Sequence, residues 1–177
     1  MPSPELRRVT WPAPSNRVPS QCVVALRVVA MPASLADHPV GRMGRVSTFY
    51  DEIGGYDTVH RIVARFYAGV ATDPVLRPLY PEEDLGPAEE RFRLFLVQYW
   101  GGPSTYSDTR GHPRLRMRHA PFAVTPTAKD HWLTHFRAAL DEARDAGLLS
   151  DEQDAQFWDY VTHAAQFMVN TFDESPA

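Results

Sequence analysis

The sequence predicts an all-α fold for residues 47–173, and three observations lead to that prediction. Apolar residues recur at helical spacing along most of the segment, as in the run formed by Val59, Ile62, Val63, Phe66 and Val70. Helix-start signals and glycine stops separate these apolar runs. No segment combines the apolar alternation of a β-strand with paired turn signals. Since we find no internal repeat either, we expect one helical domain.

The first half of this domain contains three helix signals. Residues 47–53 predict a short helix that ends at Gly54-Gly55. The helix after it carries the apolar run that includes Val59, with Tyr67 at the edge of the apolar face. Asp73-Pro74 has the pattern of an N-cap followed by a first-turn proline, which predicts a short helix toward Tyr80.

The second half is predicted to contain three longer helices. One begins at Gly86-Pro87 and stops at Gly101-Gly102-Pro103, and the next begins at Thr125-Pro126 and ends before Gly147. Ser150 to Gln153 forms a capping box, the start signal of the last helix. The apolar residues expected on that helix are Trp158, Val161, Ala165, Met168 and Phe172.

Composition and charge exclude several classes of protein. Hydrophobic residues are 44% of the chain and charged residues 23%, as is typical of a globular domain. The net charge of −4 gives no reason to expect nucleic-acid or membrane binding, and no run of about 20 apolar residues predicts a membrane span. Cys22 is the only cysteine, so no intrachain disulfide can form and we expect a cytoplasmic protein.

Residues 1–46 differ from the rest of the chain. They contain six arginines, two acidic residues and seven of the 16 prolines, which gives this segment a net charge of +4. Such a basic, proline-rich arm is expected to be disordered, or to result from a misplaced start if translation begins at Met43. Arg27 interrupts the apolar run from Cys22 to Met31, which argues against a signal peptide. Residues 174–177 are predicted to be a short tail.

The segment from Tyr99 to Phe122 carries the strongest chemical signal. A polar loop is expected after Pro103, followed by four cationic side chains, namely Arg114, Arg116, Arg118 and His119. Only the histidine can offer a neutral lone pair to a metal near neutral pH, because arginine keeps its proton. A histidine on a short helix among arginines suits an iron cofactor with carboxylate groups, such as haem, with Met117 and Phe122 as apolar neighbours. The plainer interpretation is a solvated loop histidine.

A second candidate is the pair His131 and His135. Histidines four positions apart share one helix face and could bind zinc. However, the glutamate of the zincin motif is absent and no third ligand is evident, so boundary histidines are the favoured interpretation. A helical adaptor without a cofactor is the third class of function that we consider.

Three aromatic residues with polar tips, Tyr67, Tyr80 and Trp132, matter for the haem interpretation. Their plainer role is core packing, since buried tyrosine and tryptophan usually satisfy one donor. In a haem pocket they would have a second role. Dioxygen bound to ferrous haem takes up negative charge, which O–H and N–H donors in a dry cavity stabilise.

Several sequence blocks together resemble one family. The matching blocks are Phe49-Tyr50-Asp51 with Ile53-Gly54-Gly55, Arg65-Phe66-Tyr67, Leu79 to Leu85 (LYPEEDL), Ala88 to Arg91 (AEER), Gln98 to Pro103 (QYWGGP), Gly111 to Phe122 (GHPRLRMRHAPF), Trp132 and Val169-Asn170. From about Ser47 to Phe172 the chain resembles the group II truncated haemoglobins, of the haemoglobin O type of actinobacteria. The long contiguous block makes this resemblance specific.

The resemblance implies a truncated globin, a two-over-two helical sandwich that holds haem b. It makes His119 the proximal iron ligand and places the distal hydrogen-bond donors at Tyr67, Tyr80 and Trp132. The remaining residues that it assigns to the haem pocket are Ala88, Phe92, Phe95, Met117, Arg118 and Phe122. Ala88 occupies the position where other globins often carry a distal histidine, and the ring of Phe92 is expected to narrow the cavity. No catalytic residue is assigned.

The resemblance also implies a function. The leading hypothesis is binding and transport of dioxygen at ferrous iron, with nitric oxide, carbon monoxide or peroxide as other small partners. The alternative is a haem-dependent peroxidase or a nitric oxide dioxygenase that needs an external reductase. The family includes homodimers, so self-association is a further expectation.

Overall fold

The computed structural model describes residues 46–173, and within them the secondary structure is entirely helical. In chain order the helices are α1 (Phe49–Glu52), α2 (Gly55–Val70), a 3-10 helix (Arg77–Leu79), α3 (Gly86–Tyr99), α4 (Thr105–Arg110), α5 (Leu115–His119), α6 (Pro126–Asp145) and α7 (Asp151–Met168). The predicted all-α class is confirmed.

Helix α2 lies at the centre of the packing. It contacts both α3 and α6, and α6 in turn contacts α7. The largest side chains that are fully buried include Phe66 on α2, Phe136 on α6 and Phe157 on α7. Four long helices therefore share one apolar core, as expected for the two-over-two sandwich. The short helix α5 contacts α7.

Capping side chains and a glycine explain where several helices begin and end, and the caps Thr125 and Ser150 were predicted. The hydroxyl of Thr48 accepts from the N–H of Asp51, and Ser150 forms the expected capping box with Gln153. Thr125 caps α6, ahead of its first-turn proline. After α6 the chain passes through Gly147 with φ of 72°, a left-handed conformation that glycine adopts without strain.

Two predictions about the helices were wrong. The segment after Pro103, expected to be a loop, contains α4, whose one buried residue is Tyr106. The short helix predicted toward Tyr80 is present as a turn capped by Asp73 and a 3-10 helix, and Pro78 has no N–H to continue an α-helical ladder. Phe172 lies beyond the end of α7 and is 90% exposed.

Residues 1–45 of the predicted arm (residues 1–46) lie outside the described residues, and so does the predicted tail, residues 174–177. Val46, the last residue assigned to the arm, is exposed. Within residues 46–173, none of the helices has both the length and the apolar character needed to cross a membrane.

Candidate haem site

The two tyrosines predicted to lie on the distal side are adjacent in the structure. Tyr67 is buried on α2, and its ring centroid lies 5.8 Å from that of Tyr80. Burial raises the pKa of both hydroxyls, and the neighbouring Tyr80 raises that of Tyr67 further. Both side chains therefore keep their protons and can donate. Arg77 fixes the backbone here, because its guanidinium donates to the carbonyl of Tyr80 at 3.0 Å.

Trp132 joins this group from α6. Its ring stacks on Phe136 with centroids 4.9 Å apart, and lies 4.9 Å from Phe66 and 5.8 Å from Phe92. No group within residues 46–173 accepts a hydrogen bond from its indole N–H. Aromatic packing therefore holds the ring while its one polar atom remains available to donate.

Helix α3 supplies the wall beside these donors. The ring of Phe92 lies 6.5 Å from that of Tyr67 and also contacts Trp132, so this residue links the two. Ala88 is buried one turn earlier, and Phe95 is buried and packs on Tyr106 of α4. An apolar ring of α3 therefore borders two of the donors, Tyr67 and Trp132.

His119 is the last residue of α5, and its ring orientation is fixed. The Nδ1 atom lies 2.8 Å from the carbonyl oxygen of Leu115. Because a carbonyl only accepts, Nδ1 must carry the proton, and the neutral ring then has its lone pair on Nε2. A hydrogen bond from the other ring nitrogen to a carbonyl is the usual way in which a metal-binding imidazole is oriented.

The segment before α5 is held by backbone contacts. Arg114 has φ of 41°, the only positive φ of a residue other than glycine within residues 46–173. Its N–H donates to Nδ1 of His112 at 3.3 Å. The Arg118 guanidinium donates to the carbonyls of Pro113 and Arg110, both at 2.7 Å, and to that of His112 at 3.4 Å. These bonds tie α5 to the preceding loop.

Asn170, beyond the end of α7, binds the backbone at His119 and in the segment that follows it. Its amide Nδ2 donates to the carbonyls of His119 and Phe122 at 3.2 and 3.0 Å, and its Oδ1 accepts from the N–H of Val124 at 3.0 Å. The sequence analysis matched Asn170 to the family without giving it a role. Its partners lie about 50 positions away, so no local pattern could have identified them.

The remaining predicted pocket residues lie near the surface. Met117 is 67% exposed and Phe122 is 36% exposed. Arg118 is half-buried and is engaged by the loop carbonyls. Their haem contacts therefore remain predictions. A separate surface cavity of about 430 Å³ is bordered by Phe95, Leu115 and Phe167, and contains neither His119 nor the distal donors.

The histidine pair considered for zinc has a different partner. His131 Nδ1 and His135 Nε2 both contact Oδ2 of Asp73, at 2.9 and 2.7 Å. Within residues 46–173, no group of three or more histidine, cysteine, aspartate or glutamate side chains is arranged to hold a metal ion. The sequence analysis did not identify Asp73 as the partner, since the aspartate lies about 60 positions earlier.

The described residues fit a haem group in three respects. The imidazole of His119 is oriented with a lone pair on Nε2, which is what iron requires of an axial histidine. The indole N–H of Trp132 has no partner within the described part of the chain. Tyr67 lies beside the rings of Tyr80 and Phe92, and both tyrosine hydroxyls keep their protons.

Comparisons with known proteins show which family this chain resembles. The family model of the bacterial-like globins matches residues 48–170. The chain is 40% identical over 92 residues to the group 2 truncated hemoglobin of Bacillus subtilis (strain 168), covering 52% of this chain and 68% of the relative. It is similar to a thermostable hemoglobin structure from the actinobacterium Thermobifida fusca (59% identity, TM-score 0.67, 70% of this chain and 98% of that chain). It is also similar to the truncated oxygen-avid haemoglobin structure from Bacillus subtilis (35% identity, TM-score 0.64, 70% of this chain and 100% of that chain).

Proposed function

The chain belongs to the bacterial-like globin family, as a group II truncated haemoglobin, and we propose that it binds dioxygen at a haem held by His119. The observation that carries this proposal is the imidazole of His119, whose Nδ1 proton is bound by the carbonyl of Leu115. That bond leaves Nε2 as the iron-binding atom. When bound, the haem would supply ferrous iron, which can bind a diatomic ligand.

Tyr67, Tyr80 and Trp132 are proposed to donate hydrogen bonds to the bound ligand. Tyr67 packs on Phe66, and Trp132 packs on Phe92 and Phe136, and hydrogen bonds are stronger in such apolar surroundings than in water. Each net hydrogen bond contributes about 0.5–1.5 kcal/mol, and about 1.4 kcal/mol changes a rate or an equilibrium constant tenfold. Two or three donors would therefore slow ligand escape by roughly ten- to a thousandfold. The description of the Bacillus subtilis structure as oxygen-avid supports high affinity here.

Phe92 and Ala88 are proposed to control ligand access. The small side chain of Ala88 leaves room on α3, and the ring of Phe92 narrows the space between Tyr67 and Trp132. Phe95 is proposed to line the distal wall with Phe92, Met117 and Phe122 to be apolar neighbours of the haem near His119, and Arg118 to contact the haem carboxylate groups.

The cofactor is proposed to be haem b rather than a covalently attached haem. Covalent attachment uses a Cys-x-x-Cys-His motif, and the single cysteine of this chain is Cys22. His119 therefore supplies the only protein bond to iron that we propose. A cytoplasmic location, an oxygen-transport role and a homodimer are further proposals from the sequence.

A second candidate function is turnover of peroxide, or oxidation of nitric oxide with an external reductase. It is favoured by the same three donors, because they would also polarise a bound peroxide. Steady-state turnover distinguishes the two functions. Rates no higher than those of free haem would leave binding as the only function.

The deciding experiment for haem binding is an absorption titration of the purified chain with haem. We expect one haem per chain and a Soret band whose position changes when carbon monoxide is added to the reduced protein. A chain that develops no protein-bound Soret band would refute the proposal and favour the cofactor-free adaptor.

A further inference from the structure

One buried carboxylate connects the three segments that carry the proposed distal donors. Asp73 follows α2, six positions after Tyr67 and seven before Tyr80, and its side chain is 6% exposed. Its two carboxylate oxygens contact different segments. Oδ1 contacts the turn that leads to Tyr80, and Oδ2 contacts two side chains of α6 on either side of Trp132.

The first oxygen orders the turn that leads to Tyr80. Oδ1 of Asp73 accepts from the backbone N–H groups of Val75 and Leu76, both at 2.8 Å. The backbone continues this order, because the N–H of Arg77 donates to the carbonyl of Asp73 at 3.0 Å and that of Tyr80 donates to the carbonyl of Arg77 at 3.2 Å. The position of Tyr80 therefore depends on this turn.

The second oxygen reaches α6 on both sides of Trp132. Oδ2 accepts from Nδ1 of His131 at 2.9 Å and from Nε2 of His135 at 2.7 Å. One histidine directly precedes Trp132 and the other follows it by about one turn. Both imidazoles donate, since an ionised carboxylate only accepts. The carboxylate thereby fixes the stretch of α6 that carries the indole.

The third contact involves α2 itself. A Cβ atom at Gly69 would lie 2.3 Å from Nδ1 of His135, so only glycine allows the ring to lie this close to α2. Gly69 lies one turn before Asp73 and two positions after Tyr67. The imidazole of His135 is therefore held between α2 and the carboxylate.

The carboxylate remains charged in this environment. Burial alone would raise the pKa of Asp73, but hydrogen bonds from the two imidazoles and the two backbone N–H groups outweigh burial and hold the pKa well below its usual range. These four donors are the groups that face the carboxylate within residues 46–173. Its hydrogen-bonding capacity is thus fully used.

We infer that Asp73, acting through His131 and His135, is a positioning residue that holds Trp132 and Tyr80 at hydrogen-bonding distance from the distal ligand. This inference rests on the proposed function, since it concerns the same donors. A small displacement of a positioned group is enough to weaken its interaction strongly. Loss of this link should therefore change ligand release without removing any donor.

Asp73→Ser separates this role from simple capping. A serine hydroxyl still caps the turn at Val75 and Leu76, but it is too short to reach both imidazoles. We expect dioxygen to dissociate roughly three- to tenfold faster, because the hydrogen bonds from Trp132 and Tyr80 to the ligand would be partly lost. The C–O stretching frequency of the carbon monoxide complex should shift as well, and hydrogen exchange should increase in residues 130–136.

Two further sets of variants make the test specific. His135→Leu removes the link from the other side, and the effects of Asp73→Ser and His135→Leu should be non-additive in a double-mutant cycle. Arg65→Gln is the matched control, because Arg65 pairs with Glu142 at 2.8 Å and also joins α2 to α6, but on the surface. It should leave the dissociation rate and the C–O stretch unchanged.

Trp132→Phe, measured in parallel, distinguishes failure of this inference from failure of the proposed function. If Trp132→Phe speeds dissociation while Asp73→Ser and His135→Leu do not, the positioning role is overturned and the donor role remains. If none of the three variants changes the dissociation rate, the donor role itself fails. An equal effect of Arg65→Gln would also overturn the inference, since any loosening of α2 against α6 would then suffice.

Discussion

The indole ring of Trp132 is held by aromatic packing, whereas the imidazole of His119 and the helix that carries it are held by hydrogen bonds to the backbone. Trp132 stacks on Phe136 and contacts Phe66, and both of these phenylalanines are fully buried. By contrast, α5 has no buried residue, and His119 depends on bonds to Leu115 and Asn170.

This difference matches the two tasks proposed for the two sides. Distal donors act over hydrogen-bond distances on a small ligand, so they require a rigid and dry environment. An iron ligand forms one strong bond of its own and requires mainly the correct tautomer and orientation. A short exposed helix fixed by Arg118 and Asn170 is sufficient for that task.

The largest expected effect is on the proximal side. His119→Ala removes the proposed iron ligand, and we expect loss of the normal haem absorption spectrum because the iron would then have no protein ligand that we propose. The control is His163→Ala, since His163 is exposed on α7 and bonds to the carbonyl of its own helix at Asp159. A spectrum of His119→Ala identical to the wild type would refute the assignment.

The next largest effect is expected on the distal side. Trp132→Phe keeps an aromatic ring in the packed cluster but removes the indole N–H, so dioxygen dissociation should be faster by roughly tenfold or more, as expected for a hydrogen bond to a partly charged acceptor. Stopped-flow displacement by carbon monoxide measures this rate. Trp158→Phe is the control, because Trp158 lies on α7 against the guanidinium of Arg137. An unchanged rate in Trp132→Phe would exclude the donor role.

A smaller effect is expected for the hydrogen bonds that hold α5. Arg118→Gln should lower the free energy of unfolding by about 1–2 kcal/mol, because it removes bonds to the carbonyls of Arg110, His112 and Pro113. It should speed haem loss but leave dioxygen dissociation nearly unchanged. Arg110→Gln, at an exposed position, is the comparison for denaturant unfolding and haem transfer. A large change in dioxygen dissociation would show that the two sides are not independent.

The smallest expected effect is on the free energy of unfolding at acidic pH. Since the pKa of Asp73 lies below its ordinary value of 3.8, its contribution to stability is fully present above that value and is lost as the pH falls through the lower folded-state pKa. We expect the free energy of unfolding to fall by roughly 1–2 kcal/mol more in the wild type than in Asp73→Ser, as the pH drops from 4 to 2. Denaturant titrations across this range measure the difference. Parallel curves would show that Asp73 is not selectively stabilised in its charged form.

The helix boundaries could be predicted because their signals are local. Thr125 and Ser150 cap helices through atoms three positions away, and glycine and proline act on their own dihedral angles. Helix α4 escaped prediction because its sequence is polar and its order depends on a distant partner. Gln98 binds both the N–H and the hydroxyl of Ser107, at 2.9 and 2.7 Å.

Phe172 is a second residue whose position depends on a distant contact; here the helix was predicted to be longer than it is. Its apolar character and spacing favoured a place on the inner face of the last helix, yet α7 ends at Met168. The chain turns there because Asn170 binds backbone groups of the segment after α5. Helical periodicity does not report such a tertiary interaction.

By itself, the sequence determined the helical class, most helix ends and the residues that resemble those of a truncated globin. These follow from side-chain type and short spacing, which act within one or two turns. Only the tertiary structure decided that Asp73 joins His131 and His135, 58 and 62 positions away, and that Trp132 lies beside Phe66 and Phe92. Such contacts form between helices that pack together, and the orientation of one helix face against another depends on the whole core.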